Sequence, residues 1–197
     1  VAAFVGFAPV DRTSVVSAPS VLTGVDRGGR RIHKDNTLTF EQVIQKSSNV
    51  GTAKVALGLP AERMWRTLSD AGFGAVPRTG FPGEVSGRLR PATSWRPIEQ
   101  ATISYGHGIS ANLVQLARGY TIFATDGELK PVTLFKTTGE VAGRQVIKPE
   151  TARAVREMLR LAAGPGGTAP KAQTIGYSVG GKTGTAHKQE GKEYVSD

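Results

Sequence analysis

The stretch Val179-Gly180-Gly181-Lys182-Thr183-Gly184-Thr185-Ala186 decides how the rest of the chain is read. It sits in a run from Tyr177 to His187 that predicts a strand broken by glycines. On a strand, Thr183 and Thr185 share one face. A Lys182 ammonium on a cleft wall offers positive charge to a substrate carboxylate, and the two hydroxyls add hydrogen bonds. Gly184 lets a substrate backbone lie against the strand without meeting a Cβ. By itself Lys-Thr-Gly reads equally well as an ordinary strand end.

A second polar cluster lies upstream. Thr39, with Gln42 three residues on, makes a capping box that opens a helix through about Lys46. Ser47-Ser48-Asn49 interrupts that helix, because such side chains compete for backbone hydrogen bonds and favour caps and turns. A second helix restarts near Val50 and runs to Leu57. The Ser47 hydroxyl is suited to relaying a proton and the Asn49 amide to binding a peptide carbonyl. The competing reading of the cluster is a helix cap.

Outward from these two clusters, the chain reads as helices joined by long loops. A helix over Ala61–Ala71 follows Pro60 and stops at Gly72. Residues 73–97 form a long loop, the kind that lines a cleft. Ile98–Tyr105 is helical and Gly106-His107-Gly108 breaks it. Ser110 caps a further helix to about Thr125, with Leu113, Leu116, Ala117, Tyr120, Ile122 and Phe123 on its apolar side. Lys130–Lys136 and Arg144–Ile147 read as short strands. Pro149 opens an amphipathic helix to Ala162, whose stripe is Ala152, Val155, Met158, Leu159 and Ala162. At the front, Val1–Val10 reads as a buried strand, Arg12–Gly24 as extended loop, and the residues flanking Arg27-Gly28-Gly29-Arg30 as a small hairpin.

Composition narrows the function classes. The chain has 197 residues, 39% hydrophobic, enough for one domain with a real core. With no cysteine it holds no disulfide, thiolate metal site or cysteine nucleophile. No metal site or cofactor is expected. The net charge of +9 raises nucleic acid as a partner. The densest basic group, Arg27, Arg30, Arg31 and Lys34, has no interleaved aromatics and no recognition motif, so nucleic acid is set aside. An anionic membrane surface or polymer fits the charge as well. The longest apolar stretch, Val1–Val10, is too short to span a bilayer, which takes about 20 residues.

Taken together, Gln42-Val-Ile-Gln-Lys-Ser-Ser-Asn-Val-Gly51, Ser104-Tyr-Gly-His-Gly108, Gln115-Leu-Ala-Arg-Gly-Tyr120, Gly166-Gly-Thr168 and Val179-Gly-Gly-Lys-Thr-Gly-Thr-Ala186 resemble the division-specific class B penicillin-binding proteins of Gram-negative bacteria. The resemblance covers nearly all of residues 37–188. It implies an α/β (α+β) transpeptidase fold, an antiparallel sheet flanked by helices beside an all-helical part, incomplete in this chain. It implies a serine-type D-Ala-D-Ala transpeptidase that acylates a serine with a stem peptide and cross-links septal peptidoglycan, on the periplasmic side of the inner membrane. Peptidoglycan stem peptides, β-lactam antibiotics and membrane proteins of the divisome are the implied partners.

Carried over by motif, Ser47 and Asn49 are the S-x-N pair and Lys182, Thr183 and Gly184 the K-T-G wall. The Thr185 backbone N–H is half of an oxyanion hole. Ser48, Tyr105 and Gly106 border the substrate or β-lactam, and His107 is structural. A serine β-lactamase shares these motifs, but the flanks resemble the division transpeptidases and no Glu-bearing deacylation loop is recognisable.

Two features depart from the family. No serine is followed by lysine three residues on, so S-x-x-K, which supplies nucleophile and base, is not in this sequence. Thr133-Leu-Phe-Lys136 falls after S-x-N in an expected strand and is rejected as a substitute. The chain alone is therefore expected to be inactive, a non-catalytic binding fragment or engineered scaffold being the alternative. The second departure is order. Val1-Ala-Ala-Phe-Val-Gly-Phe-Ala-Pro9 resembles the strand that follows K-T-G in this family, beyond a segment like Lys192-Glu-Tyr-Val195, yet it stands first. A circularly permuted or engineered order, or a join near Asp11–Arg12, accounts for it. The expected organisation is one partial transpeptidase domain: displaced strand at 1–11, loop and hairpin at 12–38, helical region at 39–163, then loop and K-T-G strand at 164–197.

Overall fold

The computed structural model describes residues 15–17, 37–184, 188–190 and 193–195. The expected strand at Val1–Val10, the hairpin near Arg27, the junction at Asp11–Arg12 and the oxyanion residue Thr185 lie outside the described residues.

The described residues form six α-helices and three two-stranded antiparallel sheets. Strand β1 (Val15–Ser17) pairs with β2 (Thr37–Thr39), Val16 opposite Leu38. Thus Arg12–Gly24, expected as loop, contributes a short strand. Helix α1 (Phe40–Gln45) starts directly from β2. Its capping box is as expected: Gln42 N–H donates to Thr39 Oγ1 at 3.2 Å and Thr39 N–H donates to Gln42 Oε1 at 2.9 Å. Helix α2 spans Asn49–Leu57 and α3 Ala61–Asp70. Gly72 then takes φ +94°, a left-handed position that a Cβ disfavours, and turns the chain into the long loop. Helix α4 is Pro97–Ser104, with proline at its start.

Helix α5 (Leu113–Ala124) departs from expectation at its N-terminus. Its cap is Asn112, whose Oδ1 accepts from Gln115 N–H at 2.8 Å. Ser110 instead exchanges backbone hydrogen bonds with Arg88 of the long loop. The apolar face is also rotated. Leu113 is 83% exposed, and Leu116 and Ala117 are exposed, while the polar Gln115 is buried. The reason is the loop laid across the helix start. The Gln115 amide donates to the carbonyls of Ala75 (2.8 Å) and Ser86 (2.7 Å) and its oxygen accepts from Asn112 N–H. One side chain thereby satisfies buried loop backbone that would otherwise be unpaired.

The strand expected over Lys130–Lys136 forms earlier: β3 (Glu128–Leu129) pairs with β4 (Arg144–Gln145). Pro131 has no N–H to continue the ladder. Helix α6 (Pro149–Ala163) begins at its proline and buries the whole expected stripe, Ala152, Val155, Met158, Leu159 and Ala162. It joins two clusters of core residues. Val155 and Leu159 pack with Met64, Leu68, Phe73, Ile103, Ile122 and Phe123, while Met158 packs with Phe40 and Ile44 of α1. Strands β5 (Lys188–Glu190) and β6 (Glu193–Val195) close the described part as a hairpin.

Candidate active site

The site grows from α6. Its docking on α1 fixes where α1 ends, and Ser47 follows directly. Here the helix cannot continue: Ser47 takes φ +55°, in the left-handed region that costs a side-chain-bearing residue about 1–2 kcal/mol. The reversal frees Ser48 to cap α2, its Oγ accepting from Gly51 N–H at 3.1 Å. Gly51 is buried against Val43, where a Cβ would lie 2.6 Å from Cγ2. The absence of that Cβ lets α2 start close against α1.

The K-T-G segment is also held on α6. Residues 178–184 are not a strand. Among the described residues no strand pairs with them, and Gly181 N–H donates to the Leu159 carbonyl of α6 at 3.0 Å. A run containing Gly180, Gly181 and Gly184 has little tendency to stay extended without a ladder partner. The helix backbone holds it instead, with Gly180 close against Leu159 Cβ.

The two segments meet through Lys182 and Ser47. The Lys182 ammonium donates to Ser47 Oγ at 2.5 Å, across 135 positions of sequence, and to the carbonyl of Thr183 at 3.1 Å. Partial burial pushes the Lys182 pKa below its ordinary value, because desolvation disfavours the charged amine. A short contact from a partly desolvated amine to a hydroxyl is a route for proton exchange and a fixed positive charge for an anion. Beside it, Thr183 Oγ1 donates to Thr168 Oγ1 at 3.0 Å.

The other expected site residues are placed unequally. Asn49 is the first residue of α2 and is exposed, two positions from Ser47. Gly184 is exposed, with open space where a Cβ would stand. Ser48 acts as a helix cap. Tyr105 and Gly106 turn the chain at the end of α4, their N–H groups donating to Thr102 and Ile103. No hydrogen bond among the described residues links them to Ser47 or Lys182. Thr168 was quoted in the sequence only as part of a matching flank. Its contact with Thr183 joins segments that no local pattern relates. Among the described residues no cluster of His, Asp or Glu could hold a metal ion.

Residues 23–197 match the model of the penicillin-binding protein transpeptidase domain. The chain belongs to this family.

Relatives of the transpeptidase domain carry consistent names. The probable peptidoglycan D,D-transpeptidase PenA of Neisseria meningitidis is 42% identical over 168 residues, 85% of this chain and 29% of that protein. The peptidoglycan D,D-transpeptidase FtsI of Escherichia coli is 39% identical over 151 residues, 77% of this chain and 26% of that protein. The apo transpeptidase domain of Burkholderia pseudomallei penicillin-binding protein 3 superposes with a TM-score of 0.86 at 45% identity, covering 98% of this chain and 60% of that one. The chain thus spans less than a third of the length of these two curated relatives. The expected fold class holds: a mixed α/β chain with small antiparallel sheets and helices, with the penicillin-binding transpeptidase fold as its structural neighbour.

Proposed function

We propose that this chain forms part of the substrate wall of a septal peptidoglycan D,D-transpeptidase that β-lactams inhibit. The observation that carries the reading is the Lys182–Ser47 hydrogen bond, which joins the K-T-G and S-x-N motifs at one point. Lys182, Thr183 and Gly184 receive the terminal carboxylate of a D-Ala-D-Ala stem peptide, or the corresponding carboxylate of a β-lactam. Ser47 exchanges a proton with Lys182, and the Asn49 amide binds a peptide carbonyl. The Thr185 N–H contributes to the oxyanion hole. Tyr105 and Gly106 border the cleft.

The chemistry is serine acylation by the stem peptide, then transfer to an amine on a neighbouring strand. The nucleophile belongs to an S-x-x-K segment that is not among these 197 residues. These residues alone therefore hold ligand without forming an acyl-enzyme. The proposed organisation is a partial transpeptidase domain. The working site is the periplasmic face of the inner membrane, with divisome membrane proteins as partners.

Labelling with a fluorescent penicillin tests the proposal. A longer form of the protein carrying an S-x-x-K serine should be labelled covalently on that serine. The present chain should bind penicillin without a covalent adduct, more weakly at high salt because Lys182 acts through charge. Absence of any labelling of the longer form would overturn the enzymatic reading.

A further inference from the structure

We propose that Thr168 is a positioning residue for the carboxylate seat, setting the direction of the Thr183 hydroxyl. The inference rests on the reading of Lys182 and Thr183 as a carboxylate-binding wall and extends it to the loop after α6. Thr183 Oγ1 and Thr168 Oγ1 are 3.0 Å apart, and both residues are exposed.

The loop is built to hold Thr168 in place. Gly167 N–H donates to Gly164 and Ala169 N–H to Ala162, each at 3.0 Å, so the residues on both sides of Thr168 are tied to the end of α6. A Cβ on Gly167 would fall 2.2 Å from the Ala162 carbonyl oxygen, so only glycine permits this approach. The K-T-G segment is tied to the same helix through Gly181 and Leu159. Both hydroxyls are therefore referenced to one rigid element, and their separation is set by α6.

A threonine hydroxyl has one proton to give and two lone pairs. Either hydroxyl can rotate to supply the proton of the Thr183–Thr168 contact. A carboxylate beside Lys182 accepts hydrogen bonds only. Facing it, the pair takes one direction: Thr168 donates to Thr183, and the Thr183 proton turns to the carboxylate. This needs hydroxyl rotation only, moves no proton between atoms and breaks no covalent bond. It leaves Thr183 with an accepted and a donated hydrogen bond, the arrangement in which each strengthens the other.

The test uses the full chain with an N-acyl-D-Ala-D-Ala peptide and its C-terminal amide, titrated calorimetrically. The unmodified chain should prefer the acid. Thr168→Val, similar in shape but without the hydroxyl, should lose about tenfold in acid affinity while amide affinity stays unchanged. Thr168→Ser should retain the preference. In a Thr183→Val background, Thr168→Val should cost nothing further, because the effect passes through Thr183. Equal acid affinity for Thr168→Val and the unmodified chain would overturn the proposal. So would equal losses for acid and amide, or additive losses in the double variant. If Thr168→Val does not fold, Thr168→Ser and Thr183→Val decide: loss of acid preference in Thr168→Ser, or its retention in Thr183→Val, overturns it. If the unmodified chain does not distinguish acid from amide, the carboxylate wall itself fails and this inference falls with it.

Discussion

The Lys182 ammonium and the Ser47 hydroxyl meet at 2.5 Å although 135 positions separate them in the chain. Ser47 reaches this contact from a left-handed backbone position, φ +55°. Backbone strain and a contact from a lysine amine thus coincide at one residue. Replacing Ser47 separates the two effects. Ser47→Gly should be about 1 kcal/mol more stable than Ser47→Ala, because alanine keeps the Cβ penalty and glycine does not. Urea unfolding of both variants measures the difference, and equal midpoints would refute it.

The same contact sets a pH dependence for anion binding. Lys182 titrates below its ordinary value because burial disfavours the charge. The amine is charged below its pKa and neutral above it. Preference for an acid over an amide ligand should therefore decline as pH rises through the Lys182 pKa, with a midpoint lower than that of a free lysine. Ser47→Ala removes an acceptor that favours the charged form and should move the midpoint lower still. NMR titration of the Lys182 side chain reads both shifts; an upward move in Ser47→Ala would contradict this account.

Gly51 lets α2 start close against Val43 of α1, just after the Ser47 turn. A Cβ there would meet the buried Val43 side chain at 2.6 Å and 3.0 Å. Val43 is β-branched and in a helix, so it has little rotamer freedom to yield. Overpacking costs about 1–3 kcal/mol, against a helix-propensity gain from glycine to alanine of at most ~1 kcal/mol. Gly51→Ala should be net destabilising and should weaken acid binding, since α2 and the Ser47 turn must shift. A more stable Gly51→Ala variant would show that α1 and α2 have room to separate.

Gln115 tests the pinned loop. It is 2% exposed and hydrogen-bonds four backbone groups around the start of α5, those of Gly72, Ala75, Ser86 and Asn112. Gln115→Leu keeps the volume and leaves the Ala75 and Ser86 carbonyls and the Asn112 N–H without this partner. The loss should be at least about 2 kcal/mol. A lower urea midpoint at unchanged slope is the expected result. An unchanged midpoint would mean that water replaces the side chain.

Glu99 supplies an acid-range reporter away from the site. The Arg96 backbone N–H and the Arg90 guanidinium hold its carboxylate down to about 2. A depressed carboxylate contributes stability above its unfolded value, lost as pH falls toward the folded one. Glu99→Gln should therefore flatten the pH dependence of stability between about 4.5 and about 2. A slope unchanged in that window would remove Glu99 as its source.

The sequence by itself determined what is local. Thr39 with Gln42, Pro97 and Pro149 mark helix starts, because a cap or a fixed φ acts within one turn. The stripe Ala152, Val155, Met158, Leu159 and Ala162 marks the buried face of α6, because helical periodicity needs no knowledge of the partner. The motifs Ser47-x-Asn49 and Lys182-Thr183-Gly184 were legible as residue types with a shared chemistry. Only the tertiary structure decided what those residues touch. It turned the Leu113–Ala117 face outward and buried Gln115, because a loop backbone brought there needed an amide more than the core needed a leucine. It laid residues 178–184 along α6 rather than in a strand, because glycines extend only where a ladder holds them. It set Lys182 on Ser47 and Thr183 on Thr168, because α1, which leads to Ser47, and the loop that carries Thr168 are both held against α6, and no pattern in the chain encodes a contact made through a third element.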